Sequence, residues 1–239
     1  MRTLVILPTY NEILNIEPML RALRDIVPSV DVLVVDDGSP DGTASKAQEL
    51  SGELGQIHLL SRSVKSGLGG AYRAGFTWGL EHDYELFVEI DCDFSHDPRV
   101  LPTMLVAAIT HDVVIGSRYV KGGHIPKWSP LRRFISRGGN QYASIMLGLH
   151  VADSTAGYRV YSKSALEKIR YQSVTADGYG FQIEMTNRAR QGAASIIEVP
   201  ISFTDRARGE SKMSGTIVLE ALWLVTKWSL ERPFQHRRG

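Results

Sequence analysis

Leu33-Val34-Val35-Asp36-Asp37-Gly38-Ser39-Pro40-Asp41-Gly42 joins an unbroken aliphatic run to a turn crowded with carboxylates. A run without polar alternation is the mark of a strand buried on both faces, which is the habit of parallel sheets. A helix-length amphipathic stretch, 41–54, follows it. The same unit recurs on either side. Apolar runs at 3–7, 57–60, 86–90 and 113–116 alternate with helical patterns at 15–26, 68–81 and 99–110. Such alternation predicts βαβ units and an α/β fold, a mostly parallel central sheet flanked by helices. Asn15 is placed to N-cap the first helix and Asp41 the second. Beyond residue 118 the pattern loosens. It reads as a loop at 121–129, a helix at 131–147 with Gly138-Gly139 as its weak point, and a strand at 157–161. A helix at 181–190, a strand at 195–203, a polar loop at 204–215 and an apolar helix at 217–230 complete it. With no linker or repeat, 1–231 forms one domain and 232–239 a basic tail.

The 239 residues are 43% hydrophobic and 22% charged, the mix of a soluble globular protein, which excludes disordered, collagen-like and coiled-coil classes. A net charge of +1 hides an asymmetry. Residues 1–112 hold 17 acidic and 8 basic residues (−9), and residues 113–239 hold 9 acidic and 19 basic (+10). Carboxylates in front suit a metal or hydroxyls, and cations behind suit anions. Cys92, the one cysteine, excludes an intrachain disulfide. It stands between two aspartates, which raise a thiol's pKa, so it is no nucleophile. No run of 18 apolar residues exists to span a bilayer.

In open parallel sheets, ligands bind outside the carboxyl ends of the strands. The residues there are Pro8-Thr9-Tyr10-Asn11-Glu12, Asp36-Asp37, Asp91-Cys92-Asp93 and Arg118. Asp91 and Asp93, spaced i and i+2 at a strand end, can face one hard cation such as Mg²⁺ or Mn²⁺, which takes a few carboxylates plus substrate phosphates. Gly67-Leu68-Gly69-Gly70-Ala71-Tyr72 begins like a dinucleotide fingerprint but ends on Tyr and follows the third strand. With no phosphate-binding Walker loop either, dehydrogenases and P-loop enzymes are excluded. Those glycines point to close packing at a helix start.

Several segments resemble a known family, in order along nearly the whole chain: LPTYNE (7–12), VDDGSPDGT (35–43), GLGGAY (67–72), DCDFSHDP (91–98), GSRY (116–119), SRGGN (136–140), DSTAGYR (153–159), GYGFQIEM (178–185), EVPISFTDR (198–206) and GESKMSG (209–215). They resemble the polyprenol (dolichol) phosphate mannosyltransferases, family 2 glycosyltransferases with the GT-A type nucleotide-diphospho-sugar transferase fold. The resemblance implies metal-dependent, inverting transfer of mannose from GDP-mannose to a polyprenyl phosphate. It implies that Pro8, Tyr10, Glu12, Val35 and Asp37 hold the nucleotide. Asp91, Cys92 and Asp93 would form the diphosphate–metal site, with Cys92 where Ala is usual. Arg118, Arg206 and Lys212 would meet phosphates of donor or acceptor. Polyprenyl-phosphate transfer from another donor such as UDP-glucose, a soluble transferase with a hydroxyl acceptor, and a non-enzymatic nucleotide-sugar binder are the competing readings.

A membrane-borne acceptor has three candidate supports. The basic run 118–137 carries Trp128, Leu131, Phe134 and Ile135, as an anionic interface would favour, and reads equally as an amphipathic helix with a solvated face. The helix at 217–230, apolar nearly all round, reads as core or as interfacial. The tail adds Arg232, Arg237 and Arg238. The expected setting is the cytoplasmic face of a membrane, as a peripheral enzyme, with or without a membrane-anchoring partner or domain. Nothing calls for nucleic acid.

Overall fold

A computed structural model describes residues 1–63, 67–204 and 215–235, with side chains of the last helix from 219 to 231. The chain runs β1 (Thr3–Thr9), α1 (Ile16–Ile26), β2 (Asp31–Asp36), α2 (Thr43–Leu54), β3 (Ile57–Ser61), α3 (Gly67–Glu81), β4 (Leu86–Glu89), α4 (Leu101–Ala107) and β5 (Val113–Ser117). It continues α5 (Pro130–Leu147), β6 (Arg159–Ser162), α6 (Lys163–Ile169), α7 (Gly178–Gln191), β7 (Ile196–Pro200) and α8 (Gly215–Gln235). These strands form one sheet in the order β3-β2-β1-β4-β6-β5-β7. Only β6 runs antiparallel to its neighbours. The expected α/β architecture with a mostly parallel sheet is therefore the one observed.

Alternate side chains of each central strand go to opposite faces, as the twofold strand repeat requires. Leu4, Ile6, Leu33 and Val35 pack with Tyr72 and Phe76 of α3 and Phe181 of α7. Val5, Leu7, Val32 and Val34 pack with Met19, Leu20 and Leu23 of α1, Leu50 of α2 and Met104 of α4. Gly75 and Gly79 let α3 lie directly on the sheet. A Cβ at Gly75 would stand 2.6 Å from Ile6, and one at Gly79 2.6 Å from Phe87. The register then levels the strand ends: Thr9 pairs with Asp36, and Ile6 with Glu89. Residues 10–12, 37 and 91–93 thus leave the sheet along one edge.

Several local expectations are corrected. Asn15 occupies the N-cap position of α1 but makes no capping bond, and its amide donates to Glu12 Oε2 at 2.7 Å instead. Gly42, not Asp41, precedes α2. Asp41 lies one residue further back and accepts from the Thr43 amide (3.0 Å) and the Ile13 amide (3.1 Å), tying the two strand-end loops together. The helix expected at 99–110 is a 3₁₀ turn (Pro98–Val100) followed by the shorter α4. Gly138-Gly139 does not break α5, since both positions face open space and cost only helix propensity. Helix α8 runs to Gln235, into the stretch expected as tail, while 236–239 lie outside the described residues.

Candidate active site

Seven of the residues singled out above line one cavity of about 320 Å³: Pro8, Tyr10, Glu12, Asp37, Asp91, Cys92 and Asp93. The loops holding them are cross-braced. Asp36 accepts from Thr9 Oγ1 (2.9 Å), Ser39 Oγ (2.6 Å) and the Ser39 amide (2.9 Å), so it is a structural pin between β1 and β2. Asp37, beside it, is nearly buried and pairs with Arg62 at 3.1 Å. Asp93 is buried and its Oδ1 accepts from the Ser95 amide at 2.9 Å, while Asp91 is the more open of the two. Cys92 is buried, and burial, reinforced by Glu12, Asp93 and Asp91, pushes its thiol well above the usual value. A protonated, enclosed thiol cannot act as nucleophile.

Two buried groups adjoin the Asp91 carboxylate. His96 Nδ1 lies 3.6 Å from Asp91 Oδ2, and burial drops the imidazole's pKa to about 4, so it is neutral at pH 7 and forms no ion pair there. Glu89, fully buried two residues before Asp91, accepts from Gln182 Nε2 at 2.8 Å. Burial raises its carboxyl to about 8 against the opposing field of Arg159.

Among the described residues no three His, Cys, Asp or Glu side chains gather as a cation cage. Two oxygen ligands on one strand end still fit a hard divalent ion whose remaining ligands come from water and a diphosphate. The donor set therefore suits Mg²⁺ or Mn²⁺ bound together with its substrate.

The other candidates lie elsewhere. Val35 is fully buried within β2 and does not line the cavity. Arg118, 6% exposed, is locked to the fully buried Asp153, Nε to Oδ2 at 2.7 Å and Nη2 to Oδ1 at 2.6 Å. Burial works against its charge, but Asp153 overcomes this and keeps the guanidinium ionised. Arg206 and Lys212 fall outside the described residues.

A second cavity, of about 540 Å³, opens between α5 and α8. Leu131, Ile135, Ile183, Leu219, Leu222 and Val225 give it apolar walls, and Arg132, Ser136, Asn140, Thr155 and Tyr179 a polar corner. The Thr155 hydroxyl in that corner accepts from Arg118 Nη2 (2.8 Å) and Asn140 Nδ2 (3.1 Å). Gly178 lines the first cavity and Tyr179 the second, so the two are neighbours across one peptide unit. Trp128, expected as an interfacial anchor, is instead buried, with the Arg132 guanidinium stacked 3.9 Å from its ring centre. Leu131, Phe134 and Ile135 are exposed at 68%, 77% and 52%. Helix α8 contributes to the core through the buried Ala221 and Val225, while its Leu219, Trp223 and Leu230 face outward. No helix among the described residues is long and apolar enough to cross a membrane.

Sequence reasoning missed Asp177, which shares the first cavity, and the partnership of Asp153 with Arg118. Asp153 opened a quoted motif, DSTAGYR. Asp177 stands just before another, GYGFQIEM, with only its place ahead of a helix to mark it.

Residues 4–170 match the family model "Glycosyl transferase family 2". The chain is 52% identical over 239 residues to an undecaprenyl-phosphate mannosyltransferase of Micrococcus luteus, covering all of this chain and 98% of that one. It is 45% identical over 240 residues to a polyprenol monophosphomannose synthase of Mycolicibacterium smegmatis, covering 100% and 91%. In fold it is similar to a mannosyltransferase from Pyrobaculum calidifontis solved with GDP-Man and Mn²⁺, at a TM-score of 0.59 and 17% identity, over 100% of this chain and 76% of that one. The match over most of the chain, together with carboxylates gathered at the strand ends of a GT-A type sheet, places this protein in the family 2 glycosyltransferases, among the polyprenyl-phosphate mannosyltransferases.

Proposed function

We propose that the protein transfers mannose from GDP-mannose to a polyprenyl phosphate, giving polyprenyl-phosphate mannose, with a divalent cation held by Asp91 and Asp93. The observation that carries this reading is the pair of adjoining cavities. One is carboxylate-lined, and the other has apolar walls and a polar corner that reaches Arg118 through Thr155. An isoprenoid phosphate has that amphiphilic character. The names of the two full-length relatives support the acceptor. The Pyrobaculum enzyme, similar in fold, was solved with GDP-Man and Mn²⁺, which supports the donor and the ion.

The chemistry asks little of proton transfer. A phosphate acceptor is already anionic at neutral pH, so no strong base is needed. One acceptor oxygen forms a bond to the anomeric carbon as the bond to the GDP oxygen breaks, and GDP leaves with that electron pair. Attack from the opposite face inverts the centre and gives a β-linked product. The cation would neutralise charge on the departing diphosphate. Asp91 and Asp93 would hold it, with one carboxylate aimed by the buried Asp93–Ser95 bond. Arg118, its charge balanced by Asp153, would fix the Thr155 corner next to the two anions, and Arg206 and Lys212 would bring further positive charge. Exposed Leu131, Phe134 and Ile135 of α5, interleaved with Arg132, Arg133 and Arg137, would seat this face on an anionic bilayer at its cytoplasmic side.

Asp91→Ala tests the site. The variant should fold, lose Mn²⁺-dependent binding of GDP-mannose and lose transfer by several orders of magnitude. Full activity in that variant would overturn the cation assignment.

A further inference from the structure

We propose that Asp177 is the residue that reads the hexose of the donor. This rests on the donor reading above and deepens it. With the nucleoside against Pro8, Tyr10, Glu12 and Asp37 and the diphosphate at Asp91, Cys92 and Asp93, the hexose is left with the remaining lining of the same cavity. Apart from Thr9, whose hydroxyl is given to Asp36, these are Gly67, Leu68, Ala71, Gly178 and Asp177. Four of the five offer only hydrogen or hydrocarbon as side chain. A hexose presents hydroxyls around its ring, and selecting one epimer needs polar groups at fixed positions. Among the described residues, Asp177 is the one polar side chain of those five.

Its geometry suits the task. Asp177 is exposed at the cavity edge yet held in place, because Oδ1 accepts from the Gly69 amide at 2.7 Å, in the first turn of α3. Oδ2 lies against the Cα of Gly67: a Cβ built there would stand 1.7 Å from it. Gly67 also has φ of +74°, where a side chain is strained. The glycine therefore makes room for the carboxylate, and the α3 amide fixes its tilt. An ionised carboxylate only accepts, so it can take two hydrogen bonds from vicinal hydroxyls. It would also repel a donor whose sugar carries its own carboxylate.

The test separates sugar recognition from a mere structural role at the start of α3. Binding of GDP, GDP-mannose, UDP and UDP-glucose is measured by calorimetry with Mn²⁺ for wild type, Asp177→Asn and Asp177→Ala. Asn keeps an oxygen for the Gly69 amide and loses the charge, so it serves if the Ala variant unfolds. The expected result is GDP binding within about twofold of wild type and GDP-mannose binding weakened by about 10- to 100-fold, the range of hydrogen bonds to a charged group. Equal losses for GDP and GDP-mannose, or no loss for either, would overturn the assignment. Wild type that binds UDP-glucose in place of GDP-mannose would overturn the donor reading instead, and Asp177 would then be judged by the same comparison between UDP and UDP-glucose.

Discussion

Replacing Asp153 with Asn should cost far more than one hydrogen bond. In the wild type the Arg118 guanidinium and its own backbone amide give Asp153 three bonds, at 2.7, 2.6 and 2.9 Å, in a site where Asp153 is fully buried. Asparagine retains the shape but removes the charge, and its NH₂ group faces either Nε or Nη2 of the arginine. The guanidinium cannot shed its proton, so the variant strands a buried cation. Removing one partner of a buried pair costs about 3–5 kcal/mol. At about 2–4 °C per kcal/mol for a chain of this size, Tm should fall by about 6–20 °C. Urea denaturation gives the free energy directly. Arg118→Met/Asp153→Leu, which removes both charges, should regain much of the stability and none of the transfer activity. The pair also has a pH signature. Burial would raise the Asp153 pKa, but Arg118 outweighs it and holds the carboxyl below its ordinary 3.8. Its contribution is therefore present above that value and is lost as pH falls through the lower, folded-state one. A loss below 1 kcal/mol for Asp153→Asn, or a double variant no more stable than the single one, would mean that Arg118 is not stranded by the loss of Asp153.

Glu89 predicts the opposite trend. Its carboxyl is raised from 4.5 to about 8, so its contribution is full below pH 4.5 and is lost as pH rises through 8. Relative to Glu89→Gln, the wild type should lose stability across that window, with a slope of at most about 1.4 kcal/mol per pH unit. Parallel curves would mean that Glu89 stays ionised against Arg159. On the outer face, Leu131→Glu/Phe134→Glu should leave the fold and GDP binding intact and reduce flotation with anionic liposomes by about tenfold, since both side chains are exposed. Unchanged flotation would place the bilayer contact elsewhere.

The sheet and half of the site were legible because they are encoded locally. Strand β2 is an aliphatic run followed at once by Asp36 and Asp37, and β4 is followed by Asp91 and Asp93, so topology alone gathers them at one edge. What could not be read depends on contacts distant in sequence. Asp177 meets Gly69 across 108 residues, and Arg118 meets Asp153 across 35. Nothing in the local pattern of Trp128 tells that it turns inward under Arg132, whereas Phe134, in the same basic run, turns out. The resemblance puts Val35 at the nucleotide, and its side chain is fully buried in β2. The unbroken α5 was obscured by two glycines whose cost is small on an open face.

Transfer of mannose to the lipid can be followed directly. Purified protein is incubated with radiolabelled GDP-mannose and polyprenyl phosphate in detergent, with Mg²⁺, Mn²⁺ or a chelator, and the lipid phase is counted. Label should enter the lipid phase with either ion and not with chelator, and the product should be a β-linked mannosyl phosphate. No lipid-soluble label under any condition, or label undiminished by chelator, would contradict metal-dependent transfer to the lipid.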